Sequence, residues 1–342
     1  QIWKKESWFN NILLELVRAI IHPAVTKLNL HCSLCLLSNS LFHRLNTLIN
    51  LRELRLYHLR DQTFEPLIIE ALCNMKYLEM FTVHYHCSDS IMTAVGNKCK
   101  YIKNLDVAFS RSVTDSSIGP ILKLVCLEEI NLMDTSVSED GYMKLLIGIK
   151  DNEVKDVLQM FGCSEIKTCH FNILLWDFPK LIEVDVKRYS SSSTVAKGLN
   201  TLQIIRFFYC RFSDMQELLI QAGNCLIELE LDKIKDLNVK VIGESCHCLR
   251  KLTINGYVRH IPQYENSNVV LPGFKSLEDI SLNLYRDYSF IAYLLSECRN
   301  LKKVDLFITD GSEQETDMTI EFVLSRNPLI NLQEFSIKTH MA

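Results

Sequence analysis

The sequence predicts an α/β solenoid in which about thirteen short strand–helix repeats stack side by side. Three observations support this fold class. Apolar residues occupy positions 1, 4 and 6 of a segment, the segment recurs at intervals near 25 residues, and the stretches between segments show helical periodicity. No single repeat can bury its apolar face alone, so the units must stack. We therefore expect a curved parallel sheet on the concave face and helices on the convex face.

The apolar template fits twelve segments directly and a thirteenth in degenerate form. Position 1 is occupied by Val25, Leu51, Leu78, Ile102, Leu127, Leu158, Leu181, Leu202, Leu226, Leu249, Leu277, Leu301 and Leu332. Leu158 begins the degenerate copy, whose apolar residues we assign as Met160 and Cys163. Return helices are predicted over 64–72 and 215–222. A non-repeating α/β domain is the alternative, but it would not require the pattern to recur in register.

Helix start signals agree with this arrangement. Thr114 and Ser213 each precede an acidic residue and an apolar-periodic run, so both are predicted N-caps. Near the beginning of the chain, residues 7–21 have the pattern of an amphipathic helix. We assign 1–22 to a capping helix or the tail of a missing upstream domain, and 23–342 to the repeat domain. Because the sequence begins with Gln instead of Met, we expect further sequence upstream.

Composition bounds the partners and the compartment. The chain has 342 residues, is 48% hydrophobic and 23% charged, and carries a formal net charge of −4. This balance gives no reason to expect nucleic acid or a membrane as a partner. The sequence has neither a secretory signal nor an apolar run of about 18 residues. We expect an intracellular protein, cytoplasmic or nuclear, whose 13 cysteines are mostly buried free thiols.

The sequence lacks motifs for catalysis. The P-loop, the dinucleotide-binding glycine pattern, the nucleophile elbow and the zinc-protease helix motif are all missing. Cys32 and Cys35 have the spacing of metal ligands, but no second pair follows them, so a structural role is favoured. We therefore predict no catalytic residues, no metal and no cofactor.

Cysteine recurs in a pattern that points to a family. Cys99, Cys246 and Cys298 each stand three residues before position 1, and Cys210 follows a strand. Two repeats continue into "SVTDSSI" and "SVSEDGY". With its L-x-x-L-x-L spacing, the chain over 23–342 resembles the cysteine-containing leucine-rich repeats, similar to the repeat domains of F-box proteins.

The resemblance implies a function. In that family the repeat arc holds a protein substrate, while an upstream F-box binds the adaptor of an SCF-type ubiquitin ligase. Residues 1–22 lack the Leu-Pro start and paired helices of an F-box. The adaptor is therefore expected as a partner only if an F-box precedes Gln1.

The residues at positions 3, 5 and 7 of each strand are predicted to line the concave face. One candidate patch combines types favoured in protein interfaces: Arg55, Tyr57, Met80 and His84. A second forms an acidic groove around one aromatic and one cation: Glu183, Asp185, Arg206, Phe208, Glu228, Glu230 and Asp232. The groove would suit a basic protein or peptide. Alternatively, these charges only keep an open sheet face hydrated.

We predict a non-catalytic recognition module, namely the substrate-binding part of an F-box-type receptor. The first alternative is a general repeat scaffold with no ligase role. The second is a fragment of an enzyme whose catalytic part lies upstream.

Overall fold

The computed structural model describes residues 12, 15, 19–31, 39–57, 62–191, 201–256, 274–285, 291, 294–296, 298–309 and 321–340. Within these residues, thirteen strands follow one another in chain order. The chain divides into two compact units, Gln1–Ser164 and Glu165–Ala342. In both units every strand described below pairs in parallel with its sequence neighbour. The predicted fold class, an α/β leucine-rich repeat solenoid, is confirmed.

The first unit contains six parallel strands joined by short helices. The strands are β1 (Lys27–His31), β2 (Glu53–Tyr57), β3 (Met80–Val83), β4 (Asn104–Asp106), β5 (Glu129–Asn131) and β6 (Met160–Ser164). The helices are α1 (Asn39–Leu45), α2 (Glu65–Leu72), α3 (Asp89–Lys98), α4 (Ile118–Ile121) and α5 (Glu139–Lys150). Each helix contacts the next one in the chain, as expected for stacked repeats.

The second unit continues the same alternation. Its strands are β7 (Glu183–Lys187), β8 (Ile204–Phe208), β9 (Glu228–Asp232), β10 (Lys251–Gly256), β11 (Asp279–Tyr285), β12 (Lys303–Thr309) and β13 (Glu334–His340). Its helices include α6 (Thr168–Asp177), α7 (Phe212–Ala222) and α8 (Val239–Ser245).

The core lies between the sheet and the helices. From β2 to β12 the residues at positions 4 and 6 are at most 5% exposed, as the template predicts. In β13, by contrast, Phe335 is 52% exposed. The degenerate repeat corrects one assignment, because Phe161 and Cys163 are fully buried whereas Met160 is half-buried. Residues two apart share a face of a strand, so an inward Cys163 requires an inward Phe161.

One carbonyl in each repeat fixes the position of the next strand. The Arg52 carbonyl accepts hydrogen bonds from Glu79 N at 2.8 Å and from Met80 N at 2.9 Å. The Lys302 carbonyl likewise accepts from Gln333 N at 2.7 Å and Glu334 N at 2.9 Å. The same double acceptance recurs at most strand starts between these two. Strand register is therefore set at this point, regardless of the length of the return segment.

The residue that follows position 7 has positive φ in eight successive repeats. These residues are Tyr85, Phe109, Asp134, Glu165, Arg188, Tyr209, Lys233 and Gly256. In non-glycine residues this left-handed conformation costs about 1–2 kcal/mol. A hydrogen bond to the next repeat offsets the strain: Phe109 N donates to Met133 O at 2.7 Å, and Tyr209 N donates to Asp232 O at 2.9 Å. The strand therefore ends in a defined turn, and the side chain lies at the edge of the sheet.

The predicted helix starts are correct in one of two cases. Thr114 Oγ1 accepts from Ser116 N at 3.2 Å and caps a 3-10 turn, as predicted. Ser213 does not cap a helix, because α7 already begins at Phe212 and Arg211 is its N-cap residue. The buried Phe212 side chain extends the apolar face of α7 by one residue toward its N-terminus.

Buried cysteines connect successive repeats. Eleven cysteines lie in the described residues; all are free, and the predicted repeat cysteines Cys99, Cys210, Cys246 and Cys298 are buried. The Cys99 thiol donates to Leu72 O at 3.8 Å, one repeat back. Burial raises the pKa of Cys99 to about 12 and that of Cys246 to about 12. Both thiols therefore stay protonated and act as small core residues.

Two sequence predictions fall outside the described residues. They concern most of residues 1–22 and the pair Cys32 and Cys35. Among residues 1–22, positions 12, 15, 19 and 20 are helical. The division at residue 22 remains our proposal.

Carboxylates in the first unit hold successive repeats together on the helix side. Asp89, at the start of α3, accepts hydrogen bonds from Thr114 N at 2.8 Å and Thr114 Oγ1 at 2.6 Å, and another from Ser117 Oγ. Asp115 accepts from Ser138 N and Oγ in the same way. Partial burial opposes ionisation of Asp89, but the hydrogen bonds from Ser117 and Thr114 lower its pKa.

We expect Asp89→Ala to lower the free energy of unfolding by about 1–3 kcal/mol, because three donors in the next repeat lose their acceptor. Urea denaturation measures this loss. Asp140→Ala is the matched control, since Asp140 is an exposed carboxylate in the first turn of α5. Equal losses in the two variants would show that the effect is only that of a charge near a helix start.

Candidate partner-binding surface

Arg206 lies at the centre of β8 and is surrounded by carboxylates from the strands on both sides. Asp185 on β7 and Glu230 on β9 stand directly opposite it in register. The guanidinium lies 3.0 Å from Asp185, 3.3 Å from Glu230 and 3.4 Å from Glu228, and it also contacts Glu183. We call these five residues the Arg206 cluster. Alternation along the strands places all five on the outward face of the sheet.

The Arg206 cluster has more negative than positive charge. Lys251 on β10 lies 3.0 Å from Glu228, so the cluster and its neighbour contain four carboxylates and only two cations. The side chains of Glu183, Glu228 and Glu230 are between 20% and 26% exposed. The surplus is two negative charges when all four carboxylates are ionised, and these three glutamates are the ones that solvent and a ligand can reach.

Burial affects the ionisation of the cluster. The Asp185 side chain is 9% exposed, and burial raises its pKa to about 7 against the opposing attraction of Arg206. Burial also raises the pKa of Glu230. Although burial disfavours its charge, Arg206 has a raised pKa because Asp185 and Glu183 stabilise the cation. Arg206 thus stays charged, while the charge of the cluster changes near neutral pH.

Phe208 and Asp232, the other two residues of the predicted acidic groove, lie two residues further along their strands, at the next outward-facing position. Phe208 is half-buried and stands in register between Lys187 on β7 and Asp232 on β9. Burial raises the pKa of Asp232 above its ordinary value, and the nearby ammonium groups of Lys233 and Lys187 offset only part of this effect. Of the seven predicted residues, the structure therefore brings four to Arg206, itself the fifth, and places Phe208 and Asp232 beside lysines.

In the first unit, rings from successive repeats form a row at the carboxyl end of the strands. His31 stacks on Tyr57 with centroids 4.4 Å apart, and Tyr57 meets His84 edge-on at 4.9 Å. His84 meets Phe109 at 5.7 Å, and Phe109 stacks on Tyr85 at 5.2 Å. His84 Nε2 also lies 2.9 Å from an Asp106 carboxylate oxygen. Tyr85 and Phe109 are exposed.

The predicted patch around Tyr57 is only partly assembled. Tyr57 and His84 are in contact, but Arg55 has its guanidinium 3.9 Å from Glu53 on its own strand. Met80 stands opposite Glu53 in register, closer to the start of the strands. Sequence reasoning missed Tyr85 and Phe109, whose signal was an aromatic residue directly after position 7 in two successive repeats.

Other features of the described residues lie apart from the predicted sites. An open groove of about 700 Å³ is lined by polar and charged residues that include Arg250, Lys275 and Lys302. No group of three or more His, Cys, Asp or Glu in the described residues is placed to hold a metal ion. None of the described helices has both the length and the apolar character needed to cross a bilayer.

Comparisons with known proteins find that this chain resembles several solved structures. No family model and no curated protein matches the chain. Among solved structures, it is similar to an internalin from Listeria monocytogenes, with a TM-score of 0.46, 15% identity and 94% of each chain covered. It is also similar to a structure of the Rad7 and Elc1 complex in yeast, with a TM-score of 0.44, 14% identity, and 98% of this chain and 91% of that chain covered. A leucine-rich repeat protein of Leptospira interrogans gives a TM-score of 0.38, 13% identity and coverages of 89% and 76%.

Proposed function

We propose that this protein is a non-catalytic recognition module that binds a basic protein segment on the outward sheet face of its second unit. The supporting observation is the Arg206 cluster, in which four carboxylates converge on one cation. Lysine or arginine side chains of a partner would meet the surplus negative charge. Such complementarity contributes to specificity and to the rate of association.

The geometry favours recognition over simple hydration of the surface. Charges whose role is only to hydrate a sheet surface do not need to lie close to one another. These carboxylates, by contrast, are held together by the register of their strands and by their shared contacts with Arg206. The ligand-binding oxygens are therefore ordered before the partner arrives, which lowers the entropy lost on binding. An outward sheet face can contact the surface of a partner protein, but it does not enclose a small substrate. The sequence also contains no catalytic motif, so we favour binding over catalysis.

We further propose that the partner is a substrate of an SCF-type ubiquitin ligase and that this chain is the substrate-binding part of an F-box receptor. The support is the resemblance of the cysteine-containing repeats to those of F-box proteins. The second candidate is a general repeat scaffold, which is supported by the same stacked parallel repeats and requires no adaptor. Sequence upstream of Gln1 and co-purification of the natural full-length protein with the SCF adaptor distinguish the two candidates.

We expect Glu228→Gln combined with Glu230→Gln to weaken the binding of a labelled Lys/Arg-rich peptide about tenfold, which corresponds to about 1.4 kcal/mol. Glutamine is preferable to lysine, because a cation there would face Arg206 and Lys251 and disturb folding. Fluorescence anisotropy at two salt concentrations measures the affinity, and the difference should shrink at high salt.

The matched control removes two carboxylates from the helices of the same unit. It combines Glu217→Gln in α7 with Glu244→Gln in α8 and should leave the affinity unchanged. If both double variants weaken binding equally, the peptide responds to net charge and the Arg206 cluster is not the site. If the unaltered protein does not bind basic peptides, the proposed function is wrong.

A further inference from the structure

A cluster of cations lies at the carboxyl end of β7, β8 and β9 and just before α6, in the same unit as the Arg206 cluster. Three carboxylates accompany them within or beside the turns concerned: Glu165, which pairs with Arg188, Asp232 and Asp236. This surplus of positive charge contrasts with the net charge of −4 of the whole chain. We call the cations the basic edge: Lys167, Lys187, Arg188, Arg211, Lys233 and Lys235.

Backbone hydrogen bonds hold the basic edge in order. Arg188, Tyr209 and Lys233 occupy the left-handed position of three successive repeats, with φ of 58°, 59° and 54°. Arg188 N donates to Phe208 O at 2.9 Å, and Lys233 N donates to Asn255 O at 2.7 Å. Two residues further on, Arg211 pairs with Lys235 in a parallel bridge. Cations from neighbouring repeats therefore stand about 5 Å apart at the backbone.

Tyr209 brings two of these cations together. The Lys233 ammonium lies 4.6 Å from the ring centroid and donates to the Tyr209 hydroxyl at 2.6 Å. The Lys187 ammonium lies 5.0 Å from the same centroid. Tyr209 is 48% exposed, so both ammonium groups border a ring that solvent can reach. The hydrogen bond from Lys233 to Tyr209 raises the pKa of Lys233, which keeps it charged.

Acidic groups are followed by basic groups along single strands. On β7 the order is Glu183, Asp185, Lys187, Arg188, and on β9 it is Glu228, Glu230, Asp232, Lys233. Because a strand rises about 3.3 Å per residue, the Arg206 cluster and the basic edge are separated by about 10–16 Å. An extended segment that lies along the strands covers this distance in about three to five residues.

We propose that the second unit binds a bipartite peptide segment whose basic residues contact the Arg206 cluster and whose anionic group, a carboxylate or a phosphoryl group, contacts the basic edge three to five residues away. This inference rests on the proposed function and adds the charge pattern and spacing of the partner. Six cations against three carboxylates leave a positive surplus that attracts the anion, and the ordered turns fix its distance from the acidic site.

The same charge pattern disfavours nucleic acid. A nucleic acid carries negative charge at every phosphate, so a strand long enough to reach across both sites would also meet the surplus carboxylates of the Arg206 cluster. A peptide can carry basic residues at one end and an anionic group a few residues away. We therefore infer a protein segment, and an oligonucleotide serves as a test of the alternative.

The test uses the full chain and labelled peptides with three lysines or arginines at one end. An Ala/Gly spacer of one, four or ten residues leads to phosphoserine, glutamate or neutral serine, and each peptide is also made in reversed order. We expect the anionic peptides with the four-residue spacer to bind about tenfold tighter than the neutral one. A gain with phosphoserine alone assigns a phosphoryl ligand, and a gain with both assigns acidic residues in general.

The variants separate this inference from the proposed function. Lys233→Gln with Lys235→Gln should abolish the gain from the anion but leave the neutral, purely basic peptide at its original affinity. Lys180→Gln with Lys240→Gln, which lie outside the basic edge, should change neither. If basic peptides bind but no anion adds affinity at any spacing, the inference is overturned while the proposed function stands. Tighter binding of a single-stranded oligonucleotide than of every peptide would also overturn it.

Discussion

Replacing Arg206 by methionine is expected to destabilise the second unit by about 3 kcal/mol at pH 8, because removing one partner of a largely buried ion pair leaves uncompensated charge. Four carboxylates would then converge without the cation they share, and the Asp185 side chain is only 9% exposed. Urea denaturation followed by circular dichroism measures the loss. Methionine keeps most of the side-chain volume, so the change is mainly one of charge.

The loss should depend on pH with a defined sign. In the folded protein the pKa of Asp185 is about 7, whereas an unfolded aspartate titrates at about 3.9. Between these values the folded state binds more protons, so this group's contribution to stability falls as pH rises from about 4 to about 7. Without Arg206 the pKa of Asp185 rises further. The variant is therefore expected to lose less stability at pH 5, where Asp185 is neutral, than at pH 8.

Two further variants test this explanation. Arg206→Met with Asp185→Asn should recover most of the loss at pH 8, since the buried carboxylate is gone. Lys251→Met should change stability by less than about 1 kcal/mol, because an exposed ion pair contributes little; Lys251 is about half exposed and contacts only Glu228 in this cluster. Equal losses for Arg206→Met at pH 5 and pH 8 would show that packing, and not charge, is responsible.

Replacing Gly96 by alanine is expected to destabilise the first unit by about 3 kcal/mol, at the upper end of the usual range for overpacking. Gly96 lies in α3, and a Cβ atom there would come within 2.4 Å of Pro120 O and 2.8 Å of Pro120 Cα. Both are backbone atoms of α4, so no side-chain rotation can relieve the overlap. The two helices would have to separate, which exposes core residues. Thermal and urea denaturation measure the loss.

Gly119 provides the control, since it lies in the same short helix as Pro120 and an added Cβ would meet nothing within 4 Å apart from its two neighbours in the chain. Gly119→Ala should change stability by less than about 1 kcal/mol, because the lower backbone entropy of alanine is offset by the contact of its Cβ with the ring of the following proline. A neutral result for Gly96→Ala would contradict the close packing of α3 on α4.

The sequence predicted the strands well because burial repeats along them with a simple period. Positions 4 and 6 must be apolar wherever helices cover the inner face of a strand, so Leu54 and Leu56 could be recognised as core residues from the sequence. The degenerate repeat was misassigned because Met160 and Phe161 are both apolar, and only the alternation around Cys163 separates them. The start of α7 was misplaced because Ser213 resembles a cap, whereas the buried Phe212 places the first turn earlier.

The candidate site was predicted only where the same period applies. Asp185, Arg206 and Glu230 could be placed side by side because parallel strands align equivalent positions. Tyr85, Phe109 and Tyr209 could not, because each follows position 7 in a left-handed turn where alternation no longer holds. The basic edge was missed for the same reason, since most of its cations lie beyond the strands.

Because one carbonyl per repeat positions the next strand, the outer connections can change length without moving the strand face. The spacing of the repeats already varies between 21 and 31 residues in this chain. Peptide tags, spectroscopic labels or new recognition loops can therefore be inserted into these connections while the outward strand face keeps its coordinates. In evolutionary terms, insertions and deletions on the helix side leave the outward strand face to be changed by point substitutions.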